Sequence, residues 1–306
     1  MRPDRQAPVW LFGGLAVGVA VFIAATRLGE AGWRAWLGAA FLIGAIPTGA
    51  LALTMMLRLI PGAWREGLAG PLAPMPTLIP IAFLASLPIL IAPSALYPWV
   101  HQAEPGFRGV WLTPAFFAAR GVVWFAILTA LALALAGRQP CKAVACAGLI
   151  LIVILELAIA DDWLMSLDEG FASSGYGLYI LSIEVGLALA LAIAQAAVDG
   201  RGRVRDVLGG VMVTVAALWA YLGFMQFIIV WSGDLPGGAA WYLHRGGAWS
   251  VLAWAAIALK TAGAAPLAAG AVRKNPKTLR ACALAYALGA APELAWLVGP
   301  MSVAAL

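Results

Sequence analysis

The sequence predicts an all-α, polytopic membrane protein in which about nine apolar helices cross a bilayer. Hydrophobic residues make up 63% of the 306 residues and charged residues only 11%, which excludes a soluble globular domain. Apolar stretches follow one another along almost the whole chain, each near the ~20 residues that a helix needs to cross a bilayer. The predicted single transmembrane domain therefore covers residues 1–306 and leaves no loop long enough for a soluble catalytic domain.

Polar and basic connections separate the predicted spans. In chain order, the spans lie near 8–27, 36–60, 76–97, 112–137, 141–161, 176–198, 206–231, 249–271 and 278–299. The first begins a few residues after the N-terminus and is interpreted as a retained span rather than a removed signal peptide. The later boundaries coincide with charged connections: Arg58 and Arg65, Arg138 and Lys142, Arg201 to Arg205, and Arg273 to Arg280.

The basic residues are distributed unevenly between the two sides of this topology. With a cytoplasmic N-terminus, thirteen Arg and Lys residues fall in inner loops and four in outer loops, which is a strong positive-inside bias. The formal net charge of +5 is therefore interpreted as contact with an anionic inner leaflet rather than with nucleic acid. An odd number of spans then places the C-terminus on the outer side.

Residues that usually hold redox cofactors are scarce and unsuitably placed. The only histidines, His101 and His244, fall in outer loops, so no pair of helix histidines is available for a buried haem. The three cysteines are fewer than the four thiolates that an iron–sulfur cluster takes. Phosphate-binding loops and the common hydrolase motifs do not occur. We expect this chain to bind no cofactor and no metal and to carry no catalytic residue.

Several short motifs are more specific than the composition. They are YPW at 97–99, LTPAFF at 112–117 with Arg120 after it, DWLMSL at 162–167, WAYLGFMQFIIVW at 219–231 followed by GDLP, WYLHR at 241–245, and RKNPK at 273–277. Together and in this order, they resemble the F-type (ActF-like) membrane proteins of bacterial alternative complex III, a quinol-oxidising respiratory complex. The resemblance covers roughly residues 45–300.

The resemblance implies a member of the wider polysulfide-reductase-type (NrfD-like) membrane family, whose proteins consist of two four-helix bundles plus peripheral helices. Spans two to five and six to nine would form the bundles. It further implies a bacterial inner membrane protein, in which the orientation given by the charges makes the C-terminus periplasmic. The implied partners are other membrane subunits of the complex, above all a C-like sister protein, together with iron–sulfur and cytochrome c subunits and a terminal oxidase. The implied small molecules are quinol or menaquinol in the complex, and lipids.

Five ionisable residues fall well inside the predicted spans: Arg120, Glu156, Glu184, Lys260 and Glu293. At about 1.5 Å per residue, Lys260 lies roughly 16 Å and Glu184 roughly 12 Å from the outer end of its helix. Since a charge near the bilayer centre costs at least ~2.5–3.5 kcal/mol, each of the five needs a partner or water. Structural ion pairs, for instance Glu184 with Lys260, are favoured. The alternative is an outward-facing hydrated half-channel that exchanges protons.

Aromatic residues cluster near the predicted outer interface, where most tryptophans belong to the ordinary aromatic belt of membrane proteins. The alternative is a docking surface for a periplasmic cytochrome or iron–sulfur partner. The best docking candidate is the turn at 162–167, in which Asp162 clamps the turn while Trp163 and Met165 present apolar surface. Further docking candidates are Trp231, Asp234, Trp241 and Arg245.

Three functional hypotheses follow. The first is a non-catalytic subunit of a quinol-oxidising complex that anchors redox subunits and conducts protons. The second is a quinol-binding subunit, for which Asp161, Asp162 or Glu156 would have to act as the base; Gln226 is expected to form a helix–helix hydrogen bond instead. The third is a small-solute transporter, which is disfavoured because no paired broken helices occur in corresponding halves.

The predicted topology is tested with reporter fusions. A reporter fused after Leu306 is expected to be active on the periplasmic side, and one inserted at 201–205 on the cytoplasmic side, because the basic loops remain inside. The opposite result at either position contradicts the orientation.

Overall fold

A computed structural model describes residues 22–23, 27–102, 106–137, 142–168, 170–199 and 202–299 of the chain. This described part is predominantly helical and contains no β-strand. Eight of its helical segments are long and apolar enough to cross a membrane. The predicted all-α, polytopic membrane fold is therefore confirmed, while the first predicted span, 8–27, lies almost entirely outside the described residues.

Thirteen helices of five residues or more make up the described part, and short 3-10 turns join several of them. They are α1 Glu30–Leu59, α2 Trp64–Leu72, α3 Ile79–Ile91, α4 Gly106–Trp111, α5 Pro114–Ala136, α6 Lys142–Trp163, α7 Tyr176–Asp199, α8 Gly202–Ser232, α9 Pro236–His244, α10 Ser250–Ala264, α11 Gly270–Lys274, α12 Pro276–Leu288 and α13 Ala290–Val298. Helix α1 begins at Glu30 rather than near residue 36. Arg34 is therefore part of this helix, and its side chain is buried.

The long helices pack as two groups of four. In the first group, α1 packs on α3 and α6, and α5 packs between α3 and α6. In the second group, α7 packs on α8 and α12, while α10 contacts α8, α12 and α13. The two groups meet through α1 and α7, with α6 and α13 beside them. This arrangement agrees with the two four-helix bundles that the resemblance implied.

The central contact between α1 and α7 depends on small residues. A Cβ atom on Gly49 would lie 2.1 Å from the backbone oxygen of Glu184, so the two helix backbones touch at this point. In a membrane, apolar side chains are as well accommodated by lipid as by a neighbouring helix, so the hydrophobic effect does not drive helices together. Membrane helices therefore associate through such close backbone packing. Helix α7 is rich in Ala and Gly for the same reason and is the most buried of the eight spans.

Two spans are interrupted. The segment Trp64–Ile91 divides into α2 and α3 around a 3-10 turn at Met75–Leu78. Pro74 precedes this turn and Pro76 lies in it, and the helix is interrupted because proline provides no backbone N–H. The segment Pro276–Val298 divides at Gly289. Its first helix is capped by Asn275, whose side chain accepts hydrogen bonds from the N–H groups of Lys277 and Thr278.

The outer faces of the bundles are apolar and exposed. Phe224 on α8 is 59% exposed and Trp254 on α10 is 67% exposed, and many Leu, Ile and Val side chains lie beside them. Exposed apolar surface of this extent needs a lipid or protein environment. The fold therefore places its polar side chains inward, where they form the clusters described next.

Candidate functional site

An Arg–Asp ion pair unites the motifs of the first bundle. Arg120 on α5 donates to both carboxylate oxygens of Asp162 on α6, at 2.5 and 2.9 Å. Trp111 Nε1 donates to the same carboxylate at 2.8 Å, and the Arg120 guanidinium lies 4.1 Å from the Trp111 ring centroid. Because a bidentate Arg–carboxylate interaction is strong and directional, this pair fixes the position of α5 relative to the end of α6.

The turn at 162–167 is an interior connection rather than a surface. The Tyr97 hydroxyl donates to the carbonyl of Trp163 at 3.0 Å, and Trp99 Nε1 donates to Ser166 at 3.2 Å. Burial, and then the charge of Asp162, raise the pKa of Tyr97 well above its usual range, so this phenol remains a donor. Asp162 and Trp163 are both buried, and the prediction that Trp163 presents apolar surface is wrong.

A second ion pair holds the loops of the two bundles together. Arg245, after α9, donates to Asp168 at 2.7 Å and to the carbonyl of Leu297 at 2.9 Å. Its guanidinium lies 3.9 Å from the centroid of Trp241, which in turn stacks on Phe171. Burial lowers the pKa of Arg245, and the neighbouring Asp168 opposes that shift. Arg245 and Trp241 were predicted to dock a partner, but both are buried inside the chain.

The third pair lies within the second bundle. Lys260 on α10 forms an ion pair with Glu293 on α13, and the side chains are 1% and 3% exposed. The hydroxyl of Tyr179 and the Nε1 of Trp219 donate to the same carboxylate, the latter at 2.7 Å. The expected pairing of Glu184 with Lys260 is therefore wrong, because Glu293 occupies that position.

The interruption at Gly289 accommodates this pair. A Cβ atom on Gly289 would lie 2.7 Å from Cγ of Lys260, so the absent side chain leaves room for the lysine. Glu293 falls in the first turn of the helix that starts after Gly289, near its positive dipole end. The broken span thus contributes both space for the cation and a favourable position for the anion.

Glu156 and Glu184 behave differently from the three pairs. Both side chains are buried, and each lies within electrostatic reach of the other across α6 and α7. Both carboxyl oxygens of Glu156 lack a hydrogen-bond partner in the described part of the chain, and so does Oε2 of Glu184. Two carboxylates cannot both be charged at such a place without a cation, since burying an unpaired charge is very costly.

A water-sized cavity of about 20 Å³ lies beside Glu184, between α1, α3, α5 and α6. Its lining includes the ring of Trp163, whose buried Nε1 has no hydrogen-bond partner among the described residues. It also includes the hydroxyls of Thr48 and Ser86, which donate to the carbonyls of Gly44 and Ala82 in their own helices. Their lone pairs therefore remain available as acceptors. A cavity of this size and polarity fits one water molecule.

A larger cavity, here called the vestibule, opens at the end of the molecule that was predicted to face outward. It measures about 560 Å³ and is lined by both histidines, His101 and His244, together with Glu30 and Asp168. Asp168 thus connects the vestibule to Arg245. Tyr176 lies within electrostatic reach of both, and its buried hydroxyl has no hydrogen-bond partner among the described residues.

Another cavity, here called the lateral cavity, opens between α8 and α10 on the apolar outer face. It measures about 640 Å³, and its walls are rich in aromatic rings, including Trp219, Tyr242 and Trp254. Its polar members include Gln226, Arg245 and Glu293. Gln226 accepts a hydrogen bond from Ser173 at 2.8 Å. This bond ties α8 to the loop before α7, whereas a bond between two helices was expected.

Of the remaining docking candidates, Trp231 is 71% exposed and Asp234 is exposed beside it. Asp234 has a positive φ of 46°, which is unusual for a residue with a side chain and marks a tight turn after α8. Met165 is half-buried, and its sulfur accepts from the N–H of Ser173. A docking role for Trp231 and Asp234 stays a prediction.

Several residues of these clusters were not singled out as candidates. They are Asp168, Tyr176 and Tyr179. Tyr176 and Tyr179 lie one helical turn apart on one face of α7, and that spacing was the available signal. Among the described residues, no group of three or more His, Cys, Asp or Glu is placed to hold a metal ion.

No protein-family model matches this sequence, and comparison with curated proteins finds no match. Five of the six motifs quoted in the sequence analysis fall into two spatial groups. The motifs around 97–99, 112–120 and 162–167 form the first ion-pair cluster, and those around 219–231 and 241–245 line the second bundle's clusters.

The Lys260–Glu293 pair gives a testable energetic prediction. Lys260→Met and Glu293→Gln should each lower stability by about 3–5 kcal/mol, because each leaves its partner buried and unpaired. The double change should recover much of that loss. Thermal unfolding in detergent measures the effect, with the exposed Glu66→Gln as a control that changes little. Additive losses in the double variant would exclude a direct pair.

Proposed function

We propose that this chain is a cofactor-free integral membrane subunit of a quinol-oxidising respiratory complex of the alternative complex III type. In this proposal it anchors the peripheral redox subunits and exchanges protons with the periplasmic side. Its partners are a C-like sister membrane protein, iron–sulfur and cytochrome c subunits and a terminal oxidase, in the bacterial inner membrane. The N-terminus is cytoplasmic and the C-terminus periplasmic.

The observation that carries the proposal is a series of buried polar side chains that lie between the vestibule and the Lys260–Glu293 pair. Asp168 lines the vestibule and binds Arg245. Tyr176 lies near both, and Tyr179 follows one turn later and donates to Glu293. Hydroxyl groups in series pass protons by donating and accepting in turn, so these groups suit an outward-facing half-channel.

Fixed structural ion pairs alone explain this arrangement less well. A pair that only sets helix register needs satisfied neighbours, and the Tyr176 hydroxyl has no hydrogen-bond partner among the described residues. A bound water molecule would satisfy it. Tyr176 lines the lateral cavity together with Tyr179 and Arg245. The carboxyl groups of Glu156 and Glu184, which form no ion pair within the described ranges, add a second place where a proton can reside.

The test uses the complex purified through a tag on this chain in mild detergent. Iron–sulfur and cytochrome c subunits are expected to co-purify, whereas an isolated homo-oligomer would contradict the proposal and favour a transporter. The purified complex is then placed in vesicles, and proton release during quinol oxidation is measured for Tyr179→Phe. The control is Tyr221→Phe, since Tyr221 is 58% exposed on the outer face of α8.

Tyr179→Phe keeps the ring and the packing but removes the hydroxyl that donates to Glu293. Proton exchange is expected to slow by about 10² or more, which is the contribution of a positioned proton-transfer group. Assembly and the Tyr221→Phe control should be unaffected. Normal proton release from the Tyr179→Phe complex would exclude this route and leave the anchoring role alone.

A second candidate function, quinol binding by this chain itself, is favoured by the lateral cavity. Its aromatic walls suit a flat ring, and its volume of about 640 Å³ is in the range of small-molecule sites. The side-chain amide of Gln226 is buried there, and its Nε2 has no acceptor in the described part of the chain. A quinone carbonyl would provide that acceptor.

Gln226→Met is therefore expected to weaken binding of a quinone analogue to the purified complex by about 2- to 10-fold, the effect of one lost hydrogen bond. Fluorescence titration with the analogue measures the affinity. The control is Gln195→Met, because Gln195 is exposed and does not line the lateral cavity. Unchanged affinity in the Gln226 variant would assign quinol binding to a neighbouring protein of the complex.

A further inference from the structure

A further large cavity, here called the basic cavity, lies at the opposite end of the first bundle from the vestibule. It measures about 550 Å³ and is enclosed by the last turns of α1 and α5, by α2, and by the start of α3. Arg58 and Arg65 both line it, and no Asp or Glu of the described residues does. The two arginines lie within electrostatic reach of each other.

The environment of Arg58 leaves part of its guanidinium unused. One terminal nitrogen, Nη2, donates to the carbonyl of Leu135 near the end of α5, where a cation also meets the negative end of the helix dipole. The other, Nη1, is buried and has no hydrogen-bond partner among the described residues. Capping of α5 therefore explains the position of Nη2 of Arg58. It explains neither the unpaired Nη1 nor the presence of Arg65 in the same cavity.

Two like charges held together without a carboxylate repel each other unless an anion lies between them. The planar guanidinium group binds phosphate oxygens through paired hydrogen bonds, which makes arginine the preferred partner for that group. The rest of the lining is largely apolar and includes Leu51, Ile79 and Leu133. Leu133 is 71% exposed on the outer apolar face, so the cavity opens towards the region of the acyl chains.

We infer that the basic cavity binds the phosphate group of an anionic phospholipid. The headgroup lies between Arg58 and Arg65, and one acyl chain follows the apolar wall towards Leu133. Basic pockets between membrane helices near a membrane surface suit this ligand class. A free phosphate ion offers the same oxygens but would leave the apolar wall without a partner, so the lipid is the favoured source. This site is independent of the proton route and of the quinol cavity.

The experiment uses the full chain in a neutral detergent and native mass spectrometry to measure ligand binding. The probes are phosphatidylglycerol, zwitterionic phosphatidylcholine and inorganic phosphate. The variants are Arg58→Gln, Arg65→Gln and the double change. Arg280→Gln is the matched control, because Arg280 is also an exposed basic residue of the predicted inner side but does not line the cavity.

Phosphatidylglycerol is expected to bind more tightly than phosphatidylcholine, and each single change should weaken it about fivefold, which corresponds to about 1 kcal/mol per basic residue. The Arg280→Gln control should retain full binding. Because Arg65 is exposed, Arg65→Gln tests the site even if Arg58→Gln unfolds. Equal loss in the Arg280 control, or full binding in Arg65→Gln, would overturn the inference. Binding of phosphate alone at the same strength would overturn the lipid as its source.

Discussion

A charge inside a membrane protein is stable only when another group compensates it, and this requirement organises the interior of the chain. Removing two ions from water costs several kcal/mol per ion, and good geometry with additional hydrogen bonds is needed to offset that cost. The Arg120–Asp162 pair meets the requirement with a bidentate contact and with Trp111 as a further donor. Once that pair forms, the end of α6, the turn after it and the start of α5 have one relative position.

The same requirement explains why aromatic residues surround each pair. Trp111 covers Arg120, Trp241 covers Arg245, and Trp219 lies over the ammonium group of Lys260 at 4.4 Å. Indole rings attract cations through their faces and exclude water, and those of Trp111 and Trp219 also donate through their N–H groups to the paired carboxylates. The tryptophans of the motifs are therefore part of the electrostatic clusters, in addition to any role at the membrane interface.

Glu156 and Glu184 differ from these pairs because no cation compensates them among the described residues. Their position at the contact of α6, α7 and α1 provides a physical reason. Gly49 and Gly177 bring the three helices so close that each glycine lies against the backbone of a neighbouring helix. The tight packing leaves room for about one water molecule near Glu184, and no cationic side chain of the described residues lines that space. Close helix packing here leaves both oxygens of Glu156 and Oε2 of Glu184 without a hydrogen-bond partner among the described residues.

The amino-acid sequence by itself determined the fold class and the approximate positions of the eight spans that lie in the described residues. Bilayer crossing depends on apolar length, which is a local property of the chain. The sequence also identified the five ionisable residues inside the spans, since any charge in such a stretch is conspicuous. The partner of Lys260 and the burial of Trp163 and Arg245 were decided only by the tertiary structure. Each of these depends on how helices distant in sequence rotate and approach one another, and that is set by glycine contacts and interrupted spans rather than by hydropathy.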